Sequence, residues 1–335
     1  MNKLLCVLCE NNQNTINCCK FSRNGVYLAC GDSKGNIKIW TMDSISNDID
    51  EEIKDAGVGV GSGKVSGGSN AGGNLVNEIY YCEKWIKYQT LSTNEWCNIE
   101  DIQWSHNDKY IASTYVNPRS NDVNENGGHI IIWGWNQSKK LYKIKKIRAH
   151  DDWIMGLSWD PLGTVLVSQC IDGSVKVWNN ELWTIKHEFN SKDGINSRQL
   201  SRLDSLYVSQ KPSWSADGYF ISLPSRLNKN YYVTKIYERD IWKSSANLVG
   251  HNSITSLTCF NPRLFVDKNN KVINIIAISS MDKSITIWNQ NNKRPIIHIT
   301  NITETAVTDM CWSNNGDVLL LSTQDGECIS MLFGN

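Results

Sequence analysis

The chain has 335 residues, of which 34 are basic and 34 acidic, so its formal net charge at pH 7 is zero. This balance argues against a dedicated nucleic-acid-binding surface, since sequence-independent affinity for phosphates needs an excess of Lys and Arg. Hydrophobic residues make up 40% of the chain and charged residues 20%, which predicts a folded protein with a large core. The 11 Cys residues are odd in number and scattered, which indicates a reducing compartment. No apolar run approaches the roughly 20 residues of a membrane-spanning helix, so no membrane partner is expected.

Six segments share one pattern, in which an aromatic residue is followed by a small polar residue and a turn. The segments are CKFSRNG, IQWSHND, LSWDPLG, PSWSADG, TCFNPRL and MCWSNNG, with aromatic residues at Phe21, Trp104, Trp159, Trp214, Phe260 and Trp312. A second apolar run follows most of these turns. A third run often ends in Trp, at Trp40, Trp133, Trp178 and Trp288.

Each repeat therefore consists of several short β-rich runs joined by polar turns. Alternation such as Val175-Lys-Val177 predicts strands with one buried face, and the lack of long helical periodicity predicts few helices. Repeats of this kind are the sequence signature of a WD-repeat β-propeller. We therefore predict an all-β WD-repeat β-propeller over residues 1–335 with six recognisable blades. The Gly-rich stretch at about 46–77 is predicted to be a flexible insertion.

Two repeats contain the same set of polar residues at similar spacing. The sets are His150, Ser168, Asp172 and Trp178 in one repeat, and His251, Ser279, Asp282 and Trp288 in another. WD-repeat proteins bury such a set, with the Asp accepting from an imidazole that also reaches the hydroxyl and the indole N–H. Because the set recurs with the repeat, we interpret it as a structural blade network rather than a catalytic triad.

The first and last repeats depart from this pattern. The first has Lys34 where the turn Asp would lie and no His before its first strand. The last keeps Asp325 but has Met331 in place of the Trp. These two blades are expected to be held by packing more than by a polar network.

The sequence predicts no catalytic residue, no cofactor and no metal. Cys6 and Cys9 have a zinc-like spacing, but the adjacent Cys18-Cys19 pair does not complete such a site, and strand cysteines are expected instead. Gly63-Lys64 resembles a P-loop, but the earlier Gly and the following Ser or Thr of that motif are missing. The basic run at 139–148 suits an outer strand, and a role in binding phosphate or a histone tail stays open as an alternative.

Several segments resemble the HIRA family, histone-regulator subunits of a histone chaperone complex. The more specific segments are PSWSADG at 212–218, FNPRLF at 260–265 and KRPI at 293–296. The resemblance covers nearly the whole chain apart from the Gly-rich insertion. The middle subunit of chromatin assembly factor is a related propeller and remains an alternative. So does a generic WD-repeat adaptor in ubiquitin transfer or RNA processing.

The resemblance implies a non-enzymatic nuclear scaffold that helps deposit core histones outside replication and takes part in transcriptional repression. It implies a ubinuclein-type subunit as the direct partner, core histones bound through the complex, and the anti-silencing-factor chaperone bound through regions outside this sequence. The family has seven blades, so a first blade is expected to be missing before Met1. The run LLCVLC at 4–9 is expected to pair with ECISML at 327–332 and close the ring.

Overall fold

The structure, a computed structural model, describes residues 14–42, 85–93, 97–116, 127–189, 209–228, 231–267 and 269–333. The expected insertion at 46–77 and the run at 4–9 lie outside these residues. The described residues form 25 β-strands and no helix, which confirms the all-β prediction. No helix in this part of the chain is long and apolar enough to cross a membrane.

Six antiparallel sheets of three or four strands follow one another along the chain, and each is one blade; a two-stranded hairpin is an additional sheet within the fifth. Blade one contains β1 (Ile16–Phe21), β2 (Tyr27–Asp32), β3 (Asn36–Met42) and β4 (Trp85–Ser92). Blade two contains β5 (Ile102–Trp104), β6 (Tyr110–Val116), β7 (Gly128–Trp135) and β8 (Leu141–His150). Blade three contains β9 (Ile154–Trp159), β10 (Val165–Cys170), β11 (Val175–Asn179) and β12 (Ile185–Phe189).

The second half of the chain continues the same order. Blade four contains β13 (Ser213–Trp214), β14 (Phe220–Asn228), β15 (Tyr231–Glu238) and β16 (Ser244–Leu248). In blade five, β17 (Thr255–Phe260) is followed by a hairpin of β18 (Phe265–Val266) and β19 (Val272–Ile273), and then by β20 (Ile275–Ser280), β21 (Ile285–Asn289) and β22 (Ile297–Ile299). Blade six contains β23 (Val307–Trp312), β24 (Val318–Thr323) and β25 (Cys328–Leu332). The six-bladed propeller arrangement is thus confirmed.

The small polar residue after each aromatic marker has a physical role in the first hairpin of its blade. In blades one, two and four it is a Ser whose Oγ accepts the backbone N–H five residues later, at 2.9 to 3.0 Å. The turn then needs a residue in the left-handed region, and Gly25 and Gly218 fill it with φ of 73° and 69°. The repeated motif therefore encodes the turn itself.

Apolar clusters join the blades in pairs. Five clusters link blades one to two, two to three, three to four, four to five and five to six. The aromatic marker of a blade packs into the cluster shared with the preceding blade, and Trp104, Trp159 and Phe260 are only 5 to 8% exposed. Phe21 is 58% exposed, because no described apolar cluster joins blade six to blade one.

Candidate functional site: the blade networks and the central channel

His150 lies at the end of β8 and reaches into blade three. Its Nε2 is 2.7 Å from Ser168 Oγ, which also accepts from the indole N–H of Trp178 at 2.9 Å. Its Nδ1 is 2.7 Å from the hydroxyl of Ser174. Asp172 accepts from the backbone N–H of Ser174 at 2.7 Å. The sequence analysis placed Asp172 directly on the imidazole, whereas the structure inserts Ser174 between them, because that residue follows the turn and projects to the same side.

This arrangement leaves the imidazole no free nitrogen for chemistry. His150 is 3% exposed. Burial, with a smaller effect of the Lys176 charge, lowers the pKa of His150 to about 3, although Asp172 opposes the shift. Cys170 and Asp172 each place a ligand atom within 4.8 Å of the His150 ring nitrogens. Burial raises the pKa of the Cys170 thiol. The thiol is therefore protonated and lies beside a neutral, hydrogen-bonded imidazole. This favours a structural role for the three residues over metal binding.

Blade five repeats the network with a different hydroxyl. His251 Nδ1 is 2.8 Å from Ser284 Oγ, and its Nε2 is 2.7 Å from Thr286 Oγ1. The Trp288 indole donates to the same Thr286 oxygen at 2.9 Å. The Asp282 carboxylate lies 3.7 Å from His251 Nδ1. The set therefore joins an imidazole, a carboxylate and an indole through two hydroxyls.

Ser279 does not belong to this network, contrary to the sequence analysis. Its Oγ lies 3.0 Å from Ser256 Oγ on the neighbouring strand. Thr286 takes its place because it stands two residues before Trp288 on the same strand. In blade three the matching position is Lys176, whose Nζ donates to the Ala149 carbonyl at 2.8 Å. A Ser or Thr two residues before the Trp is the sequence signal that this hydroxyl, and not the one on the second strand, contacts the His.

The first blade contains a polar network that the sequence analysis did not expect. Asp32 is fully buried and accepts from Asn14 Nδ2 at 2.9 Å and from the backbone N–H of Asn36 at 2.8 Å. Burial alone would raise the pKa of this carboxyl, but the hydrogen bonds from Asn14 and Asn36 hold it below its usual range. This blade therefore has a carboxylate network beside its packing, with the carboxylate two residues before Lys34.

The last blade uses threonines around its turn carboxylate. Asp325 accepts from Thr305 Oγ1 at 2.8 Å and from the Thr323 hydroxyl. Met331 stands where blades three and five have their network Trp. This blade keeps the carboxylate and replaces the aromatic part of the network.

The inner strands surround a central channel with a charged cluster. A cavity of about 170 Å³ there is lined by residues from all six blades, including Lys20, Gln103, Ser158, Ser213, Cys259 and Asp309. We call Lys20, Asp101, Lys211 and Asp309 the channel cluster. In it, Asp309 lies 3.6 Å from Lys20 Nζ and 3.1 Å from Lys211 Nζ, and Asp101 lies 3.9 Å from Lys211 Nζ.

The channel cluster ties distant parts of the chain together. Asp101 precedes β5 and accepts the backbone N–H of Leu157 in blade three at 2.8 Å. Lys211 precedes β13, and its carbonyl accepts the backbone N–H of Thr258 in blade five at 3.2 Å. Burial would raise the pKa of Asp309, but Lys20 and Lys211 hold it far below its usual range. Asp309 therefore stays ionised, and the contacts of the cluster link blades around the axis.

Sequence reasoning missed the channel cluster. Its members are separated by about a hundred residues or more in several cases and share no motif. One signal was available. The residue before the aromatic marker lines the channel in five of the six blades, at Lys20, Gln103, Ser158, Ser213 and Cys259. A charged residue at this position therefore indicates the axis.

The basic run and the Cys18-Cys19 pair both lie on described strands, whereas Cys6 and Cys9 lie outside the described residues. Residues 141–150 form β8, which confirms the prediction of an outer strand. Tyr142 and Ile144 are exposed on it.

Cys18 is buried in the cluster between blades one and two, while Cys19 on the other face of β1 is exposed.

Comparison with known families and structures supports this architecture. A family model described as WD domain, G-beta repeat, matches residues 2–41, 141–179 and 242–289. A chain in the crystal structure of the mitotic checkpoint complex has a TM-score of 0.65 and 12% identity, covering 97% of this chain and 77% of that one. The C-terminal WD40 domain of Sif2 has a TM-score of 0.53 and 14% identity, covering 92% of this chain and 66% of that one. At these identities the likeness shows the fold alone: the chain is a WD-repeat β-propeller.

Curated relatives indicate which kind of WD-repeat protein the chain resembles. Protein hir1 of Schizosaccharomyces pombe is 29% identical over 331 residues, which are 99% of this chain and 31% of that protein. Protein HIR1 of Cryptococcus neoformans var. neoformans serotype D is 27% identical over 336 residues, 99% of this chain and 33% of that protein. Protein HIR1 of Mycosarcoma maydis is 25% identical over 308 residues, 92% of this chain and 26% of that protein. The chain spans about a third of the length of these relatives. It is a HIRA-like WD-repeat protein.

Proposed function

We propose that this chain is the propeller of a HIRA-type histone chaperone subunit. In this proposal it is a nuclear, non-enzymatic scaffold that supports nucleosome assembly outside replication and transcriptional repression. The observation that carries the proposal is its match to proteins named Hir1 over 99% of its own length. Because the chain spans only about a third of those proteins, the activity of the whole protein is part of the proposal.

The geometry of the blades supports a scaffold. The imidazoles of His150 and His251 have both ring nitrogens engaged by hydroxyls at 2.7 to 2.8 Å. They hold strands and turns together and are not presented to a substrate. Loops fixed on a rigid sheet framework lose little conformational entropy when they bind a partner. A ring of such loops is suited to hold other proteins.

The proposed direct partner is a ubinuclein-type subunit, with core histones bound through the assembled complex. The anti-silencing-factor chaperone would bind regions outside this sequence. Neither a membrane nor strong direct binding to nucleic acid is part of the proposal, in keeping with the zero net charge.

Affinity purification of the tagged chain from its own cells tests the proposal. Recovery of a ubinuclein-like protein together with core histones would support it, and a fluorescent fusion should be nuclear. The matched control is Trp178→Ala, which removes the indole of the blade-three network and should abolish capture by unfolding that blade. Ubiquitin-ligase or splicing subunits in place of histones would contradict the proposal and favour a generic adaptor. The other subunits of chromatin assembly factor would favour the related propeller.

A further inference from the structure

Blade one places two cysteines opposite each other on neighbouring strands. β1 and β2 pair in antiparallel fashion, and their register sets Cys19 against Cys30. Among the described strand pairs, this is the one position where two Cys residues are partners. Directly opposed residues of antiparallel strands have Cα atoms about 4.5–5.5 Å apart, and a disulfide spans Cα separations of about 4.4–6.8 Å. The backbone therefore holds the two residues at a separation that a disulfide can bridge without moving either strand.

The two side chains also interact with each other. Directly opposed side chains lie on the same face of a sheet, and here a hydrogen bond joins the thiols of Cys19 and Cys30. Both residues are free cysteines. The preceding residue, Cys18, lies on the other face of β1 and is buried in the cluster shared with blade two. Cys30 is therefore the thiol within reach of Cys19, and Cys18 is not.

Cys19 is exposed to solvent, unlike its counterparts in other blades. That position lies two residues before the aromatic marker, and its exposure is only 0 to 5% at Ile102, Leu157, Thr258 and Met310. Cys19 is on the face of blade one that meets blade six, where the described residues form no apolar cluster. Phe21 is exposed on the same face. A small reagent can therefore reach Cys19 from solvent, whereas Cys30 is 6% exposed and lies behind it.

The surroundings of Cys19 favour its thiolate. The hydrogen bond from the Cys30 thiol lowers the pKa of Cys19, and the charges of Lys20 and Lys211 act in the same direction, against burial and the Asp309 charge. The hydrogen bond to Cys19, together with burial, raises the pKa of Cys30. An accessible thiolate beside a second thiol is the arrangement found at redox-sensitive cysteine pairs.

We infer that Cys19 and Cys30 are a modification site, at which a peroxide oxidises the two thiols to a reversible disulfide. The Cys19 thiolate attacks one peroxide oxygen, the O–O bond breaks and hydroxide leaves, so that Cys19 becomes a sulfenic acid. The Cys30 sulfur then attacks the Cys19 sulfur. The S–S bond forms as the S–O bond breaks, and the Cys30 proton leaves with the departing oxygen as water.

The two steps balance. Together the two thiols lose two electrons and two protons, and one molecule of hydrogen peroxide is reduced to two of water. Cellular thiols can reverse the bond, which is compatible with a reducing compartment. The inference goes beyond the proposed function and does not depend on it, because it follows from the strand register and from the open face of blade one.

Mild treatment of the purified full chain with hydrogen peroxide, followed by peptide mass spectrometry, tests the inference. The native chain should gain a Cys19–Cys30 bond that dithiothreitol removes and that Cys19→Ser abolishes. The matched control is Cys18→Ala, which removes the adjacent thiol on the other face and should leave the bond intact. In urea the same treatment should lose this preference and link Cys19 to several of the 11 Cys residues, because only the folded strands hold the pair together.

Cys30→Ser tests the order of the steps. Blade three has Ser168 at the matching strand position, opposite Lys176 as Cys30 is opposite Lys38, so this variant should fold. Without Cys30, oxidation should stop at a Cys19 sulfenic acid that dimedone labels, with about tenfold less label on the wild type. No bond in the native chain, a bond from Cys19 to Cys18, equal yields of the Cys19–Cys30 bond with and without urea, or equal labelling of the two proteins would overturn the inference.

Discussion

Lys20 of blade one and Asp309 of blade six form an ion pair, with 3.6 Å between Nζ and Oδ2, across the seam where the last blade meets the first. The other blade contacts are joined by apolar clusters. At this seam the described residues form no such cluster, so the ion pair is a main link between the two ends of the repeat array. Lys211 reinforces it by contacting the same carboxylate at 3.1 Å.

Replacing Asp309 should weaken this seam. Asp309→Asn leaves Lys20 and Lys211 close together without their shared carboxylate, so we expect a loss of roughly 1–3 kcal/mol in the free energy of unfolding. The Asp309 side chain keeps 32% exposure, which limits the effect. Urea unfolding measures it. The control is Asp151→Asn, which breaks an exposed ion pair with Arg148 and should cost about 0.5 kcal/mol or less. Equal losses for both variants would refute a special role of the seam.

Removing the turn carboxylate of blade three should destabilise the whole propeller. Asp172→Ala takes away the acceptor for the Ser174 N–H, and Ser174 then no longer holds His150 in place. We expect a loss of roughly 1–3 kcal/mol, seen as a lower melting temperature. Asp282→Ala in blade five provides the parallel measurement. An unchanged melting temperature would show that the network carries no stability.

The buried imidazole of His150 should make the protein sensitive to acid. Its folded-state pKa of about 3 lies below the ordinary value of 6.5, so the unfolded chain binds a proton more readily than the folded one. The stabilisation is fully present above pH 6.5 and is lost as the pH falls toward 3. Unfolding free energies measured from pH 7 to pH 4 should fall more steeply for the wild type than for His150→Gln. Parallel curves of unfolding free energy against pH for the two proteins would show that His150 is not the source of the acid sensitivity.

The exposure of Phe21 provides a test of the missing-blade expectation. In residues 1–335, Phe21→Ser should change stability little, while Phe260→Ala, at an equivalent buried position, should cost roughly 3–5 kcal/mol. If a further blade precedes Met1, an upstream-extended chain should bury Phe21 and become sensitive to Phe21→Ser. It should also be more stable and less prone to association than residues 1–335. The same small effect in both chains would argue for a genuine six-bladed ring.

The expected closing strand predicts a specific cross-link. In blades three and five the first residue of the third strand pairs with the last residue of the fourth, as Val175 does with Phe189. Cys328 begins β25, so the run at 4–9 should place Cys9 opposite it. Cross-strand neighbours lie within disulfide reach. Mild oxidation and peptide mass spectrometry should then find a Cys9–Cys328 disulfide that Cys9→Ser removes and Cys6→Ser leaves intact. A bond to Cys6 instead would show a different register.

Local patterns predicted the strands well, because each motif encodes its own turn. Ser22 and Ser215, for example, close the first hairpin through hydrogen bonds made within five residues. The polar networks were predictable only in part. Whether Ser279 or Thr286 meets the His251 imidazole depends on which hydroxyl comes within about 3 Å, and both lie on plausible strands.

The channel cluster could not be predicted from local pattern at all. Asp101 and Asp309 are far apart in the sequence, and Lys211 lies outside any repeated motif. These groups meet only after the blades have arranged themselves around an axis. Their pairing depends on the angle between blades, which no single repeat specifies.

The five apolar clusters have a consequence for how the molecule loses its structure. In an array of repeats coupled only to their neighbours, each unit is stabilised by the contacts on its two sides. A closed ring gives every unit two such sides, but apolar contacts among the described residues give blades one and six only one each. Among the described residues, fraying should therefore begin at the two ends that Lys20 and Asp309 hold together.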